Sequence, residues 1–140
     1  MQLLKKEFGG KMLNTHKLQK FSDERGTLVE LMKFKEHDIS EGGQVYCFSI
    51  KKDMIRGNHF HKEKHEWFVC VSGTAKLITK KEKKIEHHIM SANKPELFHM
   101  EPLTVHTLTN DQKEDAIIIS YSSKEFDPEF PDTYSDIIFE

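Results

Sequence analysis

The sequence predicts an all-β domain, a small barrel or sandwich. Three observations carry this: runs rich in β-branched and aromatic residues recur about every ten residues, turn-forming Gly, Asn, Asp or Pro separates them, and helical periodicity is weak. In chain order, Gln44 to Ile50 (QVYCFSI) is one run and Glu66 to Val71 (EWFVCV) the next. Ser72-Gly73 turns the chain, and Thr74 to Thr79 returns with alternating polarity. Lys84 to Met90 follows a charged stretch, Lys80-Lys81 with Lys83-Lys84, which reads as a solvated hairpin tip. Ala116 to Tyr121 (AIIISY) is the most apolar run and is expected to be a central strand. Residues 1–10 read as a frayed helix ending at Gly9-Gly10. The tail from Phe126, which contains Pro128 and Pro131, begins irregular and is expected to finish as a short strand or turn at Ile137-Ile138-Phe139. Phe21, Phe34, Phe48, Phe68 and Phe98 are assigned to the core, and Trp67 to sheet packing or a dimer contact.

A chain of 140 residues fits one domain, taken as 1–140 with the first ten residues peripheral. Charged residues make up 31% and the net charge is −2, so no basic excess points to nucleic acid. No apolar run approaches the roughly 20 residues that span a bilayer. The stretch Met1 to Lys6 lacks the apolar core of a signal peptide, so the chain is expected to be cytoplasmic. Cys47 and Cys70 lie inside strand-like runs and are expected to be free thiols.

The chemistry is concentrated in Arg56-Gly57-Asn58-His59-Phe60-His61-Lys62-Glu63-Lys64-His65-Glu66. On a strand, residues i and i+2 share a face, so His59 and His61 can both point into a barrel. Glu66 opens the next run, where an antiparallel neighbour would place its carboxylate opposite the two histidines. His106, in Pro102 to Asn110, completes a set of four from a further strand. Three imidazoles and a carboxylate suit a divalent ion, zinc or nickel first, with iron or manganese as alternatives. His87 and His88 are adjacent and therefore point to opposite faces. His65 alternates away from Glu66, and His16 and His37 read as solvated.

Gly57-Asn58-His59-Phe60-His61, Glu66 and Gly73 resemble the first motif of the cupin superfamily, and Pro102 through His106 to Asn110 resembles the second. The resemblance implies a single cupin jelly-roll barrel. One departure stands out: Asp53 occupies the place of a glycine six residues before His59, so the strand entry is expected to differ. Arg56-Gly57-x-His59 resembles the deoxysugar epimerases and ketoisomerases of this superfamily, as does Asp23-Glu24-Arg25-Gly26 followed by a strand ending in Glu30. The tail Phe126-Asp127-Pro128-Glu129-Phe130-Pro131-Asp132-Thr133-Tyr134 resembles the end of the C-terminal cupin domain of bifunctional capsular-polysaccharide enzymes.

That group implies an epimerase or isomerase acting on a nucleotide-linked 4-keto-deoxysugar, with a homodimer as the expected assembly. The alternatives are a 3,4-ketoisomerase and a non-catalytic sugar-binding module. Epimerisation beside a ketone needs a base, an enolate stabiliser and an acid. The resemblance places the base at His59, which is also a metal ligand in the reading above, and His61 stands beside it as a second catalytic candidate. The acid position of metal-free epimerases falls on Ser120, with Tyr121 on the opposite face, which leaves Tyr46 as the better internal candidate. Arg56 is assigned to a diphosphate or a structural ion pair, and Asn58 and His99 are assigned to substrate binding.

Overall fold

Two antiparallel sheets face each other and enclose the core. The computed structural model describes residues 13–24, 26–29, 31–32, 34–39 and 42–140. Among them are twelve strands: β1 (Asn14–Lys17), β2 (Lys20–Asp23), β3 (Gly26–Val29), β4 (Gln44–Ile50), β5 (Ile55–Phe60), β6 (Glu66–Ser72), β7 (Thr74–Lys81), β8 (Lys84–Ser91), β9 (Glu96–Met100), β10 (Val105–Thr109), β11 (Ala116–Ser122) and β12 (Tyr134–Ser135). The first sheet runs β1-β9-β6-β11-β4 and the second β12-β5-β10-β7-β8, while β2 and β3 form a separate ribbon. One 3₁₀ turn covers Phe34–His37. The frayed helix expected over residues 1–10 falls outside the described residues, as do Arg25 and Glu30.

Alternation in the strands builds the two inner faces. Phe68 and Cys70 of β6, Ile118 of β11 and Phe98 of β9 meet Leu77 of β7 and Leu108 of β10 in one buried cluster. Trp67, Leu97 and Tyr121 point the other way. They form a second cluster on the outer face of the first sheet, covered by Leu18, Leu31, Met32 and Ile39. Trp67 is only 3% exposed, so its role is sheet packing within one chain and not a dimer contact. The hairpin expected at Lys80 to Lys84 is present, with Lys81 paired to Lys84.

The structure corrects several expectations. Phe21 and Phe34 are half exposed, because the β2–β3 ribbon and the 3₁₀ turn stand outside both sheets. His16 is buried and His37 half-buried under the outer cluster, where the sequence suggested solvated side chains. The tail forms its short strand at Tyr134–Ser135 and not at residues 137–139. Asp53 has φ +63°, a left-handed conformation that Asp tolerates better than most residues, so it fits the place of the missing glycine. Among the described residues, no helix is long and apolar enough to cross a membrane.

Candidate metal centre

The site begins with an irregularity in β5. His59 lies directly opposite His106 of β10, but the next register pair is Gly57 with Thr107, so Asn58 is an extra residue, a β-bulge. Gly57 and Asn58 carry φ of +104° and +55°. A side chain at Gly57 would start 2.6 Å from the His106 carbonyl oxygen, so glycine lets the two backbones approach. Opposed residues share a face, which turns His59 inward beside His106. Arg56, opposite Leu108, faces the same side even though it lies three residues from His59.

Glu66 does not come from a neighbouring strand, as the sequence suggested. It stands on β6 in the first sheet and reaches His59, His61 and His106 across the interior, because β5 and β6 belong to opposite sheets. The four residues each offer a ligand atom, and those atoms all lie within 4.8 Å of one another. Ring centroids are 4.7 Å apart for His59 and His106, 5.2 Å for His59 and His61, and 5.4 Å for His61 and His106. His61, Glu66 and His106 are buried and His59 is half-buried, at the open side of the cluster.

Hydrogen bonds fix which nitrogens face the centre. His61 Nδ1 donates to the Asp132 carbonyl at 2.7 Å, and His106 Nδ1 donates to the Thr104 carbonyl at 3.1 Å. A carbonyl only accepts, so in the neutral rings both Nε2 atoms carry lone pairs. Those lone pairs are turned on an anion: His61 Nε2 contacts Glu66 Oε1, and His106 Nε2 is buried without a hydrogen bond, 3.5 Å from the same oxygen. Lone pairs aimed at a carboxylate are held together by a proton or by a cation. The donor set of three imidazoles and one carboxylate fits a divalent metal. Among the described residues it is the one group of three or more such side chains with this convergence.

Burial alone would raise the Glu66 carboxyl, but hydrogen bonds and positive charge from His106 and His61, when their Nε2 atoms carry a proton, outweigh it and hold the group well below the usual carboxylate range. Burial, aided by the His106 and His61 imidazoles, pushes His59 down to about 4. Near neutral pH the carboxylate is ionised and the His59 ring uncharged, the states that metal ligands require. The Tyr46 hydroxyl donates to Glu66 Oε2. Burial and the Glu66 charge push this phenol well above its ordinary value, so Tyr46 keeps its proton. Ser120, opposite Tyr46 on β11, is fully buried on the same inner face, while Tyr121 points outward and donates to the Gly42 carbonyl.

The other expected site residues divide. The Arg56 guanidinium lies over the Phe48 ring at 5.5 Å, with Nε donating to the Ser49 carbonyl, at the edge of the inner face that holds Tyr46. The Asn58 side chain is turned to the tail, accepting from the backbone N–H groups of Ile138 and Phe139 and donating to the Phe139 carbonyl. His99 lies on the outer face, stacked on Trp67 with centroids 4.4 Å apart, because Phe98 and Met100 take the inward positions of β9. Neither Asn58 nor His99 joins the cluster of His59, His61, Glu66 and His106. Sequence reasoning missed Thr104 and Asp132, whose carbonyls orient two of the imidazoles. A backbone acceptor leaves no side-chain signature, although the FPDTY stretch did mark the neighbourhood of Asp132.

Residues 21–134 match the family model of the polysaccharide biosynthesis C-terminal domain. The chain belongs to this family. Over 116 residues it is 30% identical to the UDP-2-acetamido-2,6-beta-L-arabino-hexul-4-ose reductase of Pseudomonas aeruginosa, an alignment covering 81% of this chain and 30% of that protein. The crystal structure of the capsular polysaccharide assembling protein CapF from Staphylococcus aureus superposes with a TM-score of 0.68 at 28% identity, covering 86% of this chain and 34% of that one. This polysaccharide biosynthesis C-terminal domain therefore spans about a third of the length of these two relatives. QdtA, a sugar 3,4-ketoisomerase from Thermoanaerobacterium thermosaccharolyticum solved with TDP, shares the fold with a TM-score of 0.74 at 20% identity, over 89% of this chain and 88% of that one. The cupin jelly-roll fold and the likeness to the cupin domain of capsular-polysaccharide enzymes, both expected from the motifs, are borne out.

Proposed function

We propose that this cupin domain binds one divalent cation on His59, His61, Glu66 and His106 and epimerises or isomerises a nucleotide-linked 4-keto-deoxysugar during surface-polysaccharide synthesis. The observation that carries the reading is the convergence of two oriented Nε2 lone pairs and the His59 ring on the buried Glu66 carboxylate. The substrate class is supported by the Pseudomonas aeruginosa relative, whose name specifies a UDP-linked hexul-4-ose. The proposal includes a cytoplasmic homodimer, its assembly checked by sedimentation of the full chain.

A bound cation would supply Lewis-acid polarisation of the sugar's 4-keto oxygen. An imidazole bound to metal has no lone pair for a proton, so His59 and His61 serve here as ligands. Water entering at the open side would take the C–H proton; Tyr46, which keeps its proton and lies against Glu66, gives its hydroxyl proton to the enolate carbon, and the phenolate left regains one from that water. Arg56 at the edge of the same face offers a guanidinium fork to the diphosphate.

Solvent deuterium exchange tests the reading. Zinc-loaded protein should incorporate deuterium beside the ketone of a UDP- or dTDP-linked 4-keto-6-deoxyhexose, and no exchange with any such sugar overturns it. NMR of the product separates epimerisation from conversion to a 3-keto sugar. Tyr46→Phe should retain zinc and lower turnover by about 100-fold or more, measured by the same exchange.

A further inference from the structure

The tail that carries the FDPEFPDTY stretch takes no part in the chemistry above, yet it is bound to the loop between two ligands. Lys62 to His65 is the only chain between His61 and Glu66. Three successive N–H groups of that loop donate to one side chain. Lys62 N bonds Asp132 Oδ1 at 2.9 Å, and Glu63 N and Lys64 N bond Oδ2 at 3.1 and 3.0 Å. The carboxylate thus fills a concave nest of backbone amides. The carbonyl of the same residue accepts from His61 Nδ1. Asp132 has φ +45°, a left-handed conformation in which its carbonyl and carboxylate both reach the loop. Adjoining contacts press the tail onto β5. Tyr134 stacks on Phe60 with centroids 5.5 Å apart and pairs with it in the ladder, Lys62 Nζ lies 4.1 Å from the Tyr134 ring, and Asp136 N donates to the Asn58 carbonyl.

We infer that Asp132 is a positioning residue for the metal centre: its carboxylate sets the loop that spaces His61 from Glu66, and its carbonyl holds the His61 ring through Nδ1. The inference rests on the metal reading in its affinity arm and stands alone in its loop arm. A residue that orients a ligand from behind typically changes metal affinity by about 10–100-fold when replaced. Asp132 would act on the site without touching metal or substrate, which places part of the centre's design in the C-terminal segment.

The test uses the full chain. Asp132→Gly tolerates the left-handed backbone and removes only the carboxylate, and Asp132→Asn keeps one oxygen acceptor. Asp127→Ala is the control, since the Asp127 side chain caps Glu129 N within the tail and has no bond to the loop. Zinc affinity, from competition with a chromophoric chelator, should fall about 10–100-fold in Asp132→Gly, less in Asp132→Asn, and stay within about twofold in Asp127→Ala. In metal-free protein, amide hydrogen exchange at Lys62, Glu63 and Lys64 should quicken about fivefold or more in Asp132→Gly and stay unchanged in Asp127→Ala. Unchanged affinity, unchanged exchange at those amides, or an equal loss in Asp127→Ala overturns the inference. A wild-type protein that takes up no zinc contradicts the metal reading instead, and the exchange measurement then decides this one alone.

Discussion

A histidine cluster lies against each face of the first sheet, the inner one supplied by β5, the residue after it and β10 of the second sheet, and the two are built differently. Inside, His59, His61 and His106 surround Glu66, with two of the rings held edge-on by backbone carbonyls. Outside, His65 and His99 lie flat against Trp67, their centroids 5.7 and 4.4 Å from its own, while His16 and His37 meet edge to face beside them. Burial depresses His59 and His99 alike, each to about 4. Desolvation is therefore common to both clusters and does not mark a site. The difference is where the lone pairs point. Inside they are turned on a carboxylate, whereas outside His65 Nδ1 and His99 Nε2 bond one another at 2.8 Å and the ring faces pack on indole. A histidine cluster becomes a candidate metal centre when its rings are oriented from behind and share an anion.

Three substitutions would break or sharpen this contrast. The largest effect is expected for Glu66→Gln, which removes the anion: zinc retention should be lost, by more than about 100-fold in chelator competition, while the circular dichroism of the barrel stays unchanged. Next is Trp67→Ala on the outer face. It should lower the unfolding free energy by about 3–5 kcal/mol in urea titration and leave zinc affinity of the folded protein nearly as it was. If Trp67→Ala abolishes zinc binding in folded protein, the two faces are not independent. The smallest effect is expected for His99→Phe, which keeps the stacking and removes a titrating group. His99 is depressed from 6.5 to about 4, so between those values the unfolded chain holds more protons than the folded one. Stability is then complete above pH 6.5 and falls as the pH drops toward 4, by at most on the order of 3 kcal/mol from this group. In metal-free protein, His99→Phe should reduce the slope of stability against pH in that window by about one proton. Glu101, which opposes the depression, and His65, His37 and His16, which share it, remain to titrate.

The four candidate ligands were legible in the sequence because the two motifs specify each position and alternation sets His59 and His61 on one face. Alternation likewise separated Tyr121 from Ser120 and sent Trp67 outward. It failed where the chain breaks its own period. The bulge at Gly57-Asn58 brings Arg56 and His59 to one side, and the Asn58 amide is bonded to the tail where a substrate contact was expected. For His99 the period was right but the inward face was misassigned, since Phe98 and Met100 compete for the interior and win it by apolar burial. Phe21 was read as core from its chemistry alone. Its strand pairs only within the β2–β3 ribbon, and no sequence pattern shows which sheet a short hairpin joins. The role of Asp132 depends on a contact across about seventy residues to a loop backbone, which has no side-chain signature to read.

Crystals of the full chain grown with zinc, measured on both sides of the zinc absorption edge, test the central claim most directly. The expected result is one anomalous peak per chain, about 2.0–2.2 Å from the three imidazole nitrogens and a Glu66 oxygen. No peak at that position, or a peak at His65 and His99 instead, would contradict it.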